Sequence, residues 1–139
     1  WRLENGNLAG ISPKLAVLMI GTNNSHANTP QQIADGIKAI VATIRAKSPT
    51  TKVLVLAIFP RGADKQNANR LVNEKANQIV AKLADNKAVF FQDIGKGFEN
   101  PDGTLPREIM PDLLHLSEKG YTIWAESIEP MVAKLMGEK

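Results

Sequence analysis

The run Leu15–Ile20 is six consecutive apolar residues, ends at Gly21, and gives way at once to Thr22, Asn23 and Asn24. Two more short apolar runs, Lys52–Phe59 and Ala88–Gln92, are likewise rich in Val, Leu, Ile and Phe. Runs of this length without polar alternation predict strands buried on both faces, here over Lys14–Ile20, Lys52–Phe59 and Ala88–Gln92. Between them the apolar period changes to that of a helix. Thr29-Pro30-Gln31-Gln32 has the form of an N-cap, a Pro at the first helical position and a capping-box Gln. Ile33, Ile37, Ile40, Val41 and Ile44 follow at helical spacing, and Ser48-Pro49 ends the segment. A second helix is expected from about Gln66 to Ala84. A third is expected after a Ser117 cap, carrying Tyr121, Ile123, Trp124, Ile128, Val132 and Leu135, with Pro130 expected to kink or divide it.

Strand alternating with helix three times predicts an α/β architecture on a parallel sheet with right-handed crossovers. No linker or repeat interrupts residues 1–139, which read as a single domain. In open parallel sheets, ligands bind beyond the carboxyl ends of the strands. Gly21–Asn24 and Pro60-Arg61-Gly62 fall at two such ends, and the irregular stretch Asp93–His115 follows the third. Long loops in small domains are more often functional than idle.

Composition narrows the chemistry. A chain of 139 residues can bury about two thirds of its unfolded surface as one core. The net charge of +3 comes from 17 basic and 14 acidic residues interleaved along the chain, so no nucleic-acid-binding face is indicated. No cysteine is present, which removes thiolate chemistry and disulfides. No apolar run approaches the length of a membrane span. His26 and His115 are the only histidines and show no metal-ligand spacing with carboxylates, so no metal or cofactor is expected. A nucleotide-binding flavodoxin-like domain lacks its glycine-rich or Walker-type loop.

The polar candidates each carry two readings. Asn23 or Asn24 can close a turn, or can offer a side-chain NH2 to a ligand above the sheet; Asn23-Asn24-Ser25 is also formally an N-glycosylation sequon. Asp112 and His115 are three apart, so one helical turn would bring a carboxylate to an imidazole, fixing its tautomer and stabilising its cation. A satisfied structural histidine is the alternative. Arg61 can hold a substrate carboxylate or phosphate at the pocket rim, or make a surface salt bridge.

In combination these segments resemble the SGNH hydrolases (GDSL esterases and lipases), and within them the platelet-activating-factor acetylhydrolase alpha-subunit group. Gly21-Thr22-Asn23-Asn24 is similar to the family's Gly-x-Asn-Asp block, with Asn24 where Asp is usual. Asp112-Leu113-Leu114-His115-Leu116 is similar to its last block, and Trp1-Arg2-Leu3 with Asn5-Gly6 looks like the helix end before the family's third strand. The resemblance implies a three-layer α/β/α flavodoxin-like fold, of which this chain holds the C-terminal three-strand part. It implies a serine esterase or lipase acting on a small acyl ester. His115 would be the base, Asp112 its orienting acid and Asn23 an oxyanion donor, with Gly21, Asn24 and Arg61 around the oxyanion and substrate.

One part of the family pattern is missing. Its nucleophilic serine lies in a Gly-Asp-Ser segment after the first strand, and its second oxyanion donor is a glycine after the second. None of Ser12, Ser25, Ser48, Ser117 and Ser127 has that context. With Trp1 at the start in place of Met, the resemblance implies two further strand–helix units upstream, on the order of 60–70 residues at about 30 per unit. Their first strand would lie against Lys14–Ile20. That apolar edge predicts a second polypeptide carrying the missing strands, or a homo-oligomer. A catalytically inert binding or assembly scaffold is the alternative.

Overall fold

The structure is a computed structural model that describes residues 2–6 and 8–137. The element order is β1 (Leu15–Leu18), α1 (Pro30–Lys47), β2 (Lys52–Leu56), α2 (Ala68–Val80), β3 (Val89–Gln92) and α3 (Glu118–Met136). The three strands form one parallel sheet in the order β1-β2-β3. Alternation along the central strand divides the core. Val53 and Val55 face α1 and α2, joining Ile33, Ile37, Val41, Ile44, Ala76 and Val80. Leu54 and Leu56 face α3 and meet Leu135, with Trp124, Ile128 and Val132 beside them. Helices thus cover both faces of the sheet, as the alternating pattern predicts.

The local signals at the helix starts act as read. The Thr29 side chain accepts from the Gln32 amide while the Gln32 side chain accepts from the Thr29 amide, with Pro30 at the first position. Ser117 caps α3 by accepting from Gly120 N. Several boundaries differ. The strands are shorter than their apolar runs, each of which extends a residue or more beyond the paired ladder. Helix α2 is also shorter than expected, closing in a 3-10 turn at Ala81–Leu83. Only β2 is buried on both faces. β1 pairs with β2 alone among the described residues, and Val17 and Ile20 are 44% and 47% exposed. Pro130 does not divide α3, which runs unbroken to Met136. Pro130 and Glu126, whose carbonyl loses its amide partner, both lie on the solvated side, where water can replace the missing bond. Trp1 of the expected N-terminal helix end lies outside the described residues, and residues 2–6 form turns.

Beyond Leu56 the chain continues buried to Pro60. The last sheet bond on this stretch is Ala57 N to Gln92 O, 2.9 Å. Ile58 is then 3% exposed with no strand to pair with. Asn77 of α2 takes the strand's place: its Oδ1 accepts from Ile58 N at 2.8 Å and its Nδ2 donates to Ile58 O at 2.9 Å. Further along α2's buried side, Arg70 is 1% exposed, pairs with Glu99 at 2.8 Å and donates to Gly103 O at 2.7 Å. This anchors the loop after β3.

Replacing Asn77 by Ala leaves two buried backbone groups unpaired. Each costs about 1–3 kcal/mol, so Asn77→Ala is expected to lower stability by about 2–6 kcal/mol. Urea denaturation would show this as a lower midpoint at unchanged slope.

Candidate functional site

The turn after β1 begins at Gly21, which has φ 125°. A Cβ there would stand 2.8 Å from Ile58 Cδ1 and 3.0 Å from Ile33 Cγ2, so only glycine lets the chain turn so close to the core. Gly21 therefore serves the site sterically. Thr22–Asn24 form one 3-10 turn. Asn23, at its centre, is exposed and its side-chain amide bonds to none of the described residues. The Asn24 amide is engaged: Nδ2 donates to Asn28 Oδ1 at 3.0 Å. Of the two amides at this tip, Asn23 is the one available to a ligand.

Arg61 reaches this turn from the end of β2. Its Nη1 donates to Thr22 O at 2.9 Å and lies 3.4 Å from Thr22 Oγ1 and 3.3 Å from Ser25 Oγ. Buried Asn73 of α2 also donates its Nδ2 to Thr22 Oγ1 at 3.3 Å. Neither contact was legible in the chain. For Asn73 the available signal was the placing of Arg70, Asn73 and Asn77 on the same helical stripe as Ala76 and Val80.

Asp112 and His115 come together, but not through a helical turn. Leu113 between them has φ 62°, the left-handed region that non-glycine residues seldom adopt. Asp112 Oδ1 folds the turn around itself, accepting from Leu114 N at 3.0 Å and His115 N at 2.7 Å. Its other oxygen, Oδ2, lies 2.6 Å from His115 Nδ1. Nδ1–H donating to the carboxylate leaves Nε2 as the free acceptor of a neutral ring. The side chains are 78% exposed for His115 and 56% for Asp112. The His115 side-chain bond, then the His115 amide, hold the Asp112 carboxyl down at about 2. The turn is tied to β2's end by Gly62 N donating to Leu113 O at 2.9 Å.

No serine bonds to His115, and the one at the Asn23 turn is turned back onto it. Ser25 is buried and donates to Thr22 O at 2.8 Å; Ser48 accepts from Thr51 Oγ1 at 2.7 Å; Ser117 donates to Glu108 O at 2.6 Å. Ser12 precedes β1, at the opposite end of the strand from the turn, and Ser127 lies within α3. The broad cleft of about 1030 Å³ between α2 and the loop after β3 is lined by Arg70, Glu74, Phe91 and Glu99 among others, and by none of Asn23, Arg61, Asp112 or His115. Its size does not make it the site. Among the described residues no group of three His, Cys, Asp or Glu is disposed to hold a metal, and no helix is long and apolar enough to cross a membrane.

The described residues thus form a parallel sheet between helices, an α/β/α arrangement, with an amide-bearing turn after β1 and an Asp–His turn bonded to the segment after β2. The solved structures similar to this chain have that fold. An aryl esterase from M. smegmatis aligns over 91% of this chain and 62% of its own, at 21% identity and a TM-score of 0.68. A carbohydrate acetylesterase family member from Sinorhizobium meliloti aligns over 94% and 65%, at 20% identity and 0.72.

The chain belongs to the GDSL-like lipase/acylhydrolase family, whose model matches residues 1–123. It is 40% identical over 139 residues to the platelet-activating factor acetylhydrolase IB subunit alpha1 of Homo sapiens, and 40% identical over 142 residues to the alpha2 subunit of Rattus norvegicus. It spans 59% and 60% of those relatives' lengths.

The depressed Asp112 pKa has a defined sign. Lowered from 3.8 to about 2, it adds stability that is complete above about pH 4 and is lost as pH falls through about 2. In a carboxyl ¹³C titration Asp112 should show a midpoint near 2, and His115→Ala should move it up toward the ordinary carboxylate value.

Proposed function

We propose that this chain supplies the general base, its orienting carboxylate and one oxyanion donor of a serine-dependent carboxylic ester hydrolase acting on small acyl, chiefly acetyl, esters. The observation that carries the reading is the 2.6 Å bond from His115 Nδ1 to Asp112 Oδ2 with Nε2 left free. Family membership and the acetylhydrolase relatives support the reaction class.

In this reading a serine hydroxyl attacks the acyl carbon and His115 Nε2 takes its proton. Asp112 stabilises the imidazolium that forms. The carbonyl oxygen becomes an oxyanion to which the Asn23 amide donates, an interaction of roughly 3–4 kcal/mol in comparable sites. His115 then returns the proton to the departing alkoxide. Water, activated the same way, releases the acid and restores the serine. Gly21 lets the turn approach the core, Asn24 braces it and Arg61 adjoins it. The steps draw on no metal or cofactor.

The nucleophile and second oxyanion donor come, on this reading, from strand–helix units paired along the free edge of β1. The exposure of Val17 and Ile20 on that edge supports this. So does the exposure of His115 and Asn23, because oxyanion donors are effective only where water is excluded. Such units lie outside residues 1–139, on the same or on a second polypeptide; a second copy of this chain would cover the edge without supplying that serine.

In the form of the protein that hydrolyses an acetyl ester such as 4-nitrophenyl acetate, His115→Ala should lower kcat by roughly 10³–10⁴-fold and Asp112→Asn by roughly 10²–10⁴-fold. Circular dichroism should remain that of the parent. Parent-like turnover by the His115 variant overturns the site. An absence of ester hydrolysis from every preparation favours the binding scaffold.

A further inference from the structure

Two consecutive residues at the end of β2 hold two peptide planes that flank the candidate chemistry. Arg61 Nη1 donates to the carbonyl of Thr22, the peptide unit that leads directly into Asn23, at 2.9 Å. Gly62 N donates to the carbonyl of Leu113, between Asp112 and His115, at 2.9 Å. One short segment therefore grips both the turn that carries the amide and the turn that carries the imidazole.

The segment is itself fixed. Pro60 is buried. Gly62 has φ 79°, and a Cβ on it would fall 2.3 Å from Asn67 Cγ, so the backbone lies directly on the cap of α2. Asn67 holds its own place by accepting from Arg70 N at 3.1 Å. Asn73, six residues beyond Asn67 on the same helix, also bonds Thr22. The grip is thus referred to α2 and the sheet together. Arg61 Nη1, spread over Thr22 O, Thr22 Oγ1 and Ser25 Oγ, faces the protein's own turn.

We infer that Arg61 and Gly62 form a bracket that sets the spacing of Asn23 from His115, and that Arg61 is a positioning residue acting through Asn23 rather than a ligand for substrate charge. The inference rests on the proposed roles of Asn23 and His115. A misplacement of about 1 Å in such an arrangement can lower turnover roughly 10²-fold, so the bracket governs kcat rather than binding.

The test is a double-mutant cycle in the ester-hydrolysing form of the protein, using one neutral acetyl ester and one that carries a carboxylate. Arg61→Ala is expected to lower kcat roughly 10–100-fold, equally for both esters, with KM changed less than about threefold and the pH profile unmoved. Arg61→Lys, which keeps one donor for the Thr22 carbonyl, should recover part of the loss. In an Asn23→Ala background Arg61→Ala should cost little more, because the group it positions is gone.

A rise in KM confined to the carboxylate ester makes Arg61 a substrate ligand and overturns the bracket. Additive losses in the cycle overturn it as well, since Arg61 then acts independently of Asn23. Should Asn23→Ala alone leave kcat unchanged, the oxyanion role itself fails, an outcome distinct from failure of the bracket. If Arg61→Ala unfolds the protein, Arg61→Lys and Arg61→Gln carry the same cycle.

Discussion

The candidate site is organised around a buried amide. At Ile58 the central strand has outrun its neighbours, leaving a backbone N–H and C=O inside the protein with nothing to pair. Asn77 answers both with the two ends of one side chain. A side-chain amide has the same donor and acceptor as a peptide unit, so it can stand in for a missing strand where an aliphatic residue would leave two unpaired groups. With Ile58 held, the chain reaches Pro60 in a fixed place, and Arg61 and Gly62 leave it in fixed directions. The turn of Asn23 and the turn of Asp112 and His115 are both bonded to those two residues.

How much of this was legible depends on whether the cause is local. The capping box at Thr29 and the Ser117 cap depend only on residues within one turn, so both are legible in the sequence and present in the fold. The alternation of strand and helix gave the layer order, because buried strands and amphipathic helices differ in period. The approach of Asp112 to His115 follows from spacing, yet its means was not foreseen. The carboxylate caps two amides and forces Leu113 into the left-handed region, a choice decided by side-chain hydrogen bonding rather than propensity. The residues by themselves leave Asn23 and Asn24 equivalent and only the resemblance to the family block singles out Asn23; in the fold the Asn24 amide is engaged by Asn28. Arg61's partner is 39 positions away along the chain and Asn73's is 51. Contacts at such separations are visible only in the fold.

The chemistry expected here also explains what the described residues leave exposed. A histidine–carboxylate pair and a lone amide in contact with bulk water can exchange protons and donate hydrogen bonds, but they gain little of the electrostatic advantage of a dry site. Val17 of β1 and Ile20 just beyond it are exposed as well. Further strands paired along β1 would cover its edge, enclose the imidazole and deliver a hydroxyl beside the Asn23 turn. Such strands would complete sheet and site together; the chain itself spans about three fifths of its relatives' length.

The most direct measurement is labelling with a serine-reactive fluorophosphonate, read by intact mass and peptide mapping, on the parent protein and on His115→Ala. A split assignment of roles, with base and oxyanion donor on these residues and the nucleophile beyond them, predicts one adduct per site. It should lie on a serine outside residues 1–139 and be lost in the His115 variant. An adduct on Ser12, Ser25, Ser48, Ser117 or Ser127, or labelling indifferent to His115, would contradict it.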